Sequence, residues 1–245
     1  MTNLYRKLVL LLLFGLFITS ISYGQYRYGR YRRVGNKMRF GLKGGLNISG
    51  LKYVLSDRTG GTTLKSRPIG SFQVGVVADL SATSWMSLQS GITVSGKGAK
   101  IKQKGSGDEF TYKMHPWYLE IPAELIFKPR INYGSNFYFG AGPYIAFALG
   151  GKGDYDGSTG PDDYYSDHSL KFGNGANKDM RMIDLGMNIL AGFVFNQNLM
   201  LGAQYGLGLR NLAPKKNEEA PGILKNRNFS LTLTILFGRK PLPYY

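Results

Sequence analysis

The sequence predicts an all-β fold, an eight-stranded antiparallel up-and-down transmembrane β-barrel, and three observations carry that prediction. Apolar residues alternate with small or polar ones at a strand period in eight places. The connections between those places alternate between short and long. The chain also combines 34 glycines with 17 tyrosines and 14 phenylalanines, as barrel strands with small lumen residues and aromatic girdles require.

The clearest alternation lies in residues 181–210. Ile183, Leu185, Met187, Ile189, Ala191, Phe193 and Phe195 fall on every second position, and beyond Asn196-Gln197-Asn198 the pattern resumes with Leu199, Leu201, Ala203, Tyr205, Leu207 and Leu209. The intervening positions hold Asp184, Gly186, Asn188, Gly192, Gly202, Gln204, Gly206, Gly208 and Arg210. Roughly 9 to 11 residues with one apolar face is the length a tilted strand needs to cross a bilayer, with the polar face turned to a lumen. A turn centred on Gln197 sets Phe195 against Leu199, Ile189 against Tyr205, and Asp184 against Arg210. A slip of one residue would oppose apolar to lumen positions throughout, so this register is the expected one.

From the N-terminus, Arg6 and Lys7 precede the apolar run Leu8 to Ile18 and a small-residue segment ending in Ser22, Tyr23 and Gly24. The run is too short for a transmembrane helix and fits a signal peptide over residues 1–24. With no cysteine in the chain, a lipoprotein anchor, disulfides and thiolate metal sites are excluded. Loss of the leader leaves 29 basic against 15 acidic residues. In a secreted chain, which does not meet nucleic acid in ordinary function, that charge has to find another target. It favours lipid phosphates, lipopolysaccharide or an envelope protein. Residues 25–38 form a basic, Tyr-rich arm in which Arg27, Arg30, Arg32, Arg33 and Lys37 are the expected binding residues. The arm reads equally as a solvated tail or as a dock for an anionic surface or periplasmic partner.

The barrel is expected over residues 39–238, followed by a short tail, 239–245. Strand one carries Phe40, Leu42, Leu46 and Ile48 on its apolar face; strand two Phe72, Val74, Val76, Ala78 and Leu80; strand three Met86, Leu88, Ile92 and Val94. Strand four carries Trp117, Leu119, Ile121, Ala123, Leu125 and Phe127, and strand five Phe137, Phe139, Ala141, Ile145 and Phe147. The hairpin above supplies strands six and seven, and Phe229, Leu231, Leu233, Ile235 and Phe237 mark strand eight. Connections 82–84, 129–135 and 196–198 are short, whereas 52–68, 98–112, 150–179 and 212–226 are long and rich in Gly, Pro, Asp and Lys. Outer-membrane barrels have short periplasmic turns and long external loops, so both termini are expected in the periplasm. The outward aromatics then sort into two girdles, with Phe40, Phe127, Phe137, Phe195 and Phe237 at one level and Phe72, Trp117, Phe147 and Phe229 at the other. A soluble lipocalin-like barrel would invert this pattern and bury the apolar face.

Five segments, FGLKGGLNISGL, LQSGITVSGKG, YLEIPAELIFKP, FYFGAGPYIAFALGGK and LMLGAQYGLGLRNL, resemble the PorT-like outer-membrane β-barrel family of Gram-negative bacteria. The resemblance runs from about Arg39 to Gly238 and leaves the arm outside. It implies a small outer-membrane barrel without a cofactor, and some members of that family are tied to type IX protein secretion. A periplasmic or secretion-machinery protein is therefore an expected partner, beside outer-membrane lipid and lipopolysaccharide.

Little in the chain points to catalysis or metal. The only two histidines, His115 and His168, match no hydrolase spacing, although a lipid-modifying hydrolase at the rim, or a narrow porin-like channel, is the alternative reading. Asp154, Asp156, Asp162, Asp163 and Asp167 invite a calcium loop, but Ser158 and Thr159 occupy positions where an EF-hand needs a ligand and a glycine. An acidic, hydrated loop is expected there, with no metal. Lys43, Lys97, Glu120, Glu124, Asp184 and Arg210 are expected to form a polar network in the lumen. With Gln89, Gln204, Tyr138 and Tyr144 they are bulky enough to fill an eight-stranded interior. The expectation is a non-enzymatic barrel.

Overall fold

The computed structural model describes residues 38–238 apart from 56–61, 65, 84, 105–108, 130–134, 160–161, 176, 196–197 and 215–222. The leader, arm residues 25–37 and the tail 239–245 lie outside the described residues. In chain order the strands are β1 (Met38–Leu55), β2 (Thr62–Leu64), β3 (Ser66–Ser81), β4 (Met86–Gly96), β5 (Ala99–Lys104), β6 (Glu109–Phe127), β7 (Ser135–Thr159), β8 (Asp162–Ser169), β9 (Ile183–Phe195), β10 (Leu199–Gly208) and β11 (Ile223–Leu236).

Eight of them close on themselves. The antiparallel ladders run β1–β3–β4–β6–β7–β9–β10–β11, and β11 pairs back onto β1 from Gly41 opposite Leu236 to Val54 opposite Ile223. Closure leaves no open edge in the ring, which is what lets strands cross hydrocarbon with every backbone group paired. The side chains are sorted inversely to a soluble protein: Leu46 is 70% exposed, while Asp79 and Asp184 are 0% exposed. Apolar residues on alternate positions of every barrel strand point out, and the polar positions between them point in. The soluble lipocalin-like alternative is thereby excluded.

The hairpin register agrees with expectation where the ladder runs: Phe195 faces Leu199, Ile189 faces Tyr205, and Gly186 faces Gly208. Outward aromatics gather at two levels. Trp85, Phe127, Phe139, Phe137 and Phe193 form a chain of ring contacts 5.5 to 6.1 Å apart near the short turns. At the other end Phe72 meets Trp117 edge-on at 5.0 Å.

The strands are longer than their apolar pattern. Segments read as long loops hold paired backbone instead: β1 runs to Leu55, β6 starts at Glu109, β7 reaches Thr159, and β2, β5 and β8 add short ladders beyond the ring. The acidic stretch is thus two arms of a β7–β8 hairpin, with Asp154 opposite Asp167, and not a loop. Alternation reports one lipid-facing side, and it stops where lipid stops, whereas backbone pairing continues into water without it.

Candidate functional site

The lumen is organised in layers from the short-turn end to the loop end. At the short-turn end, Asp79 accepts hydrogen bonds from Arg39 Nη2 (2.7 Å), Ser87 Oγ (2.7 Å) and Lys128 Nζ (3.1 Å). Lys128 also donates to Ser87 Oγ at 2.9 Å. All four side chains are buried. Above them Val77, Ile126, Tyr138, Leu190, Val194, Met200 and Leu236 form an apolar layer across the barrel.

The middle holds five of the six residues expected to form the polar network. Lys43 Nζ donates to Gln204 Oε1 at 2.7 Å and lies 3.9 Å from Glu124 Oε2. Asn188 Nδ2 donates to Glu124 at 3.0 Å and to Glu120 at 3.1 Å, which links two acids that would otherwise repel. Lys97 Nζ sits 2.8 Å from Glu120 Oε2 and 3.5 Å from Asp184 Oδ2, and 4.4 Å from the centre of the Tyr144 ring. Asp184 Oδ2 also accepts from Asn226 Nδ2 at 2.8 Å and from the Tyr144 hydroxyl at 3.1 Å. Charged groups this deep need such partners, because an unpaired one would lose its hydration with nothing in return.

A second apolar layer closes the loop end. Leu51, Ala99, Met114, Leu170, Met180, Leu212, Ala213 and Leu224 are buried together, with Ile101, Tyr112 and Phe172 against them. Two connecting segments supply its lid. Leu170 N donates to Gly151 O, Arg181 N to Leu212 O, and Leu212 N to Leu224 O, so residues 170–182 and 209–214 are tied across the mouth.

Arg210 does not join the network. The β9–β10 ladder stops at Gly186 opposite Gly208, and both Leu209 N and Arg210 N donate to Leu185 O as the chain bends towards the cap. Burying Leu212 in the cap takes the backbone out of register before Arg210 can face Asp184, whose Oδ2 is held by Lys97, Tyr144 and Asn226. Arg210→Ala should therefore change the unfolding free energy by no more than about 0.5 kcal/mol. Combined with Asp184→Ala it should be additive in a double-mutant cycle read by urea unfolding; a coupling above about 1 kcal/mol would restore the pair.

The two histidines fall on opposite faces. His115 is opposite Lys152, while His168 is opposite Gly153 and bonds the Tyr112 hydroxyl through Nε2 at 3.2 Å. Burial, with Asp179 and Asp154 nearby, pushes the Tyr112 phenol up to about 12, so it stays protonated at neutral pH. Among the described residues no three His, Cys, Asp or Glu side chains gather as metal ligands would. The arm residues Arg27, Arg30, Arg32, Arg33 and Lys37 lie outside the described residues.

Sequence reasoning missed Asp79, Arg39, Lys128, Asn188 and Asn226 as members of buried clusters. Parity was the available signal: each lies on the lumen side of its strand, Arg39 in step with Gly41, Asp79 with Gln73, Lys128 with Glu124, Asn188 with Asp184 and Asn226 with Ser230. The apolar lumen layer was legible in the same way, because Leu190, Val194, Met200 and Leu236 occupy the face otherwise held by small or polar residues.

Residues 24–213 match the family described as "Outer membrane protein beta-barrel domain". The chain belongs to this family. No curated protein matches it. Among solved structures, this outer-membrane barrel is similar to the attachment invasion locus protein Ail of Yersinia pestis, at 14% identity over 82% of this chain and 99% of that one, with a TM-score of 0.34. It is also similar to OprG from Pseudomonas aeruginosa (11% identity, 82% and 96% covered, TM-score 0.45) and to the outer membrane protease OmpT from Escherichia coli (10% identity, 85% and 99% covered, TM-score 0.34). Its task has to be read from its own residues.

Proposed function

We propose that this outer-membrane barrel is a non-enzymatic structural or interaction protein of the cell envelope, of the PorT-like kind, with both termini in the periplasm and the β-extensions outside. The observation that carries the reading is the lumen, where a salt-bridged middle layer lies between two apolar layers. A route for solutes would need a continuous polar path, and these layers interrupt one at both ends. Surfaces are then what the protein has to offer, the extended sheets of the loop end among them. Type IX secretion is the envelope process to which the PorT-like resemblance points, and the basic, Tyr-rich composition of the arm suits it to meet an anionic periplasmic component of it.

Three measurements test the proposal. Purified protein in planar bilayers should show no stepwise conductance, and steady single-channel openings would make it a pore. Labels at Asp163 and Asn217 should react on intact cells, whereas a label at Gln197 should need permeabilisation; reaction at Gln197 from outside reverses the orientation. Mature protein should retain envelope proteins in a pull-down and lose them on removal of residues 25–37, with the loss shrinking as salt rises. Retention that ignores the deletion removes the arm from the account.

A further inference from the structure

The outward side of the loop end carries an arrangement of charge that the closed lumen does not explain. Arg67 on β3, Lys100 on β5 and Lys113 on β6 are direct cross-strand neighbours: Arg67 is opposite Lys100, and Lys100 is opposite Lys113. On the next strands round, Lys52 of β1 is opposite Lys225 of β11, and Arg227 is opposite Gly50. The six residues form an arc over five adjacent strands. Their direction is set by their neighbours. Ala99 and Ile101, Tyr112 and Met114, Leu51 and Leu224 all pack into the apolar cap, so Lys100, Lys113, Lys52 and Lys225 between or beside them face away from it. Arg67 is exposed.

Like charges directly opposed across a ladder repel, and a sheet ordinarily interleaves acids to avoid this. Here none of the six is in an ion pair among the described residues; Arg227 donates only to the Gly208 carbonyl at 3.3 Å. Among the described residues of the rim, acids border the arc at one end, with Asp154 of β7 opposite Lys113 and Glu109 of β6 opposite Lys104, and continue along the β7–β8 hairpin, where Asp167 is 3.6 Å from Lys152. Height adds the second constraint. Lys113 is four residues beyond Trp117 on the same strand and the same side, which is about 13 Å along the strand and roughly 10 Å in height at barrel tilt. With the Phe72–Trp117 pair at the hydrocarbon boundary, the arc stands at the level of lipid head groups.

We propose that this arc binds the phosphate groups of lipopolysaccharide in the outer leaflet, several at once, with Arg67 and Arg227 as bidentate donors and the lysines as point charges. Phosphates brought between the opposed cations remove the repulsion that the bare sheet carries. The arc would then hold a patch of lipid against one side of the barrel and leave the acidic hairpin free. The choice of leaflet rests on the orientation proposed above.

The test uses the full-length mature protein in detergent, incubated with lipopolysaccharide or with the same material stripped of its phosphates, and measures lipid that co-elutes on gel filtration. The protein should retain the phosphorylated form at least several-fold better. Arg67→Gln/Lys100→Gln/Lys113→Gln and Lys52→Gln/Lys225→Gln/Arg227→Gln should each fall towards the dephosphorylated level, and retention by the unaltered protein should decline with salt. An unchanged urea midpoint for each variant in lipid-free detergent establishes that the barrel is intact. Equal retention of the two forms, or full retention by both variants, overturns the proposal. So does equal retention of phosphatidylglycerol, which would make the arc a general anionic-lipid surface, or displacement of bound lipopolysaccharide by polyglutamate at low concentration, which would point to an acidic protein. Both barrel ends are in solution in detergent, so this outcome does not depend on orientation, which labelling at Asp163 decides separately.

Discussion

Lys97→Met is expected to cost the barrel about 3–5 kcal/mol of unfolding free energy, the largest effect of any single change in the lumen. The ammonium lies 2.8 Å from Glu120 and 3.5 Å from Asp184, with all three side chains buried, and it stands over the Tyr144 and Tyr118 rings at 4.4 and 5.4 Å. Removing it leaves two carboxylates close together without their cation, held only by Asn188, Asn226 and Tyr144. Neutralising the acids in the same chain, as Lys97→Met/Glu120→Gln/Asp184→Asn, should recover most of the loss, because the cost comes from unpaired charge and not from lost contact. Urea midpoints in lipid vesicles give the comparison. A triple variant as unstable as Lys97→Met alone would mean that packing around the lysine stem, and not charge, holds this layer.

Gly202→Val should be strongly damaging at a position with no charge. Gly202 faces Gly192 across the β9–β10 ladder, and together they form a trough for the Tyr138 ring. A Cβ at Gly202 would fall against the Tyr138 hydroxyl, and one at Gly192 would lie 2.9 Å from the ring. The ring has nowhere else to go, since it belongs to the apolar layer with Leu190, Val194 and Met200. Overpacking of this kind costs about 1–3 kcal/mol or more. The same valine in a Tyr138→Ala background should cost much less, a coupling of about 1 kcal/mol or above. Equal losses in both backgrounds would show that the strand backbone, and not the tyrosine, demands glycine there.

The strand positions, the closed ring and the division of faces were readable because they depend on a single local rule, alternation imposed by lipid on one side. The β9–β10 register was readable for the same reason, since a one-residue slip would turn every apolar side chain into the lumen. The β-extensions were not. GKGDYDGST and DDYYSDHS have no apolar alternation to report them, and they are held by pairing with each other. The cap was hidden in a similar way: Leu170, Met180, Leu212 and Leu224 are isolated apolar residues in polar surroundings, and only their meeting across the mouth makes a core.

By itself, then, the sequence determined which residues face lipid and which face inward, because that choice is made strand by strand from a period of two. It also marked Lys43, Lys97, Glu120, Glu124 and Asp184 as inward charges. The tertiary structure decided which of them meet. Asp184 was expected opposite Arg210 on the neighbouring strand and instead takes Lys97, Tyr144 and Asn226 from around the ring. Partners inside a barrel are chosen by height and by the inward reach of side chains across the lumen, and strand tilt and stagger bring residues distant in the chain to one level. Nothing local in the chain encodes that level, so it appears only when the ring is closed.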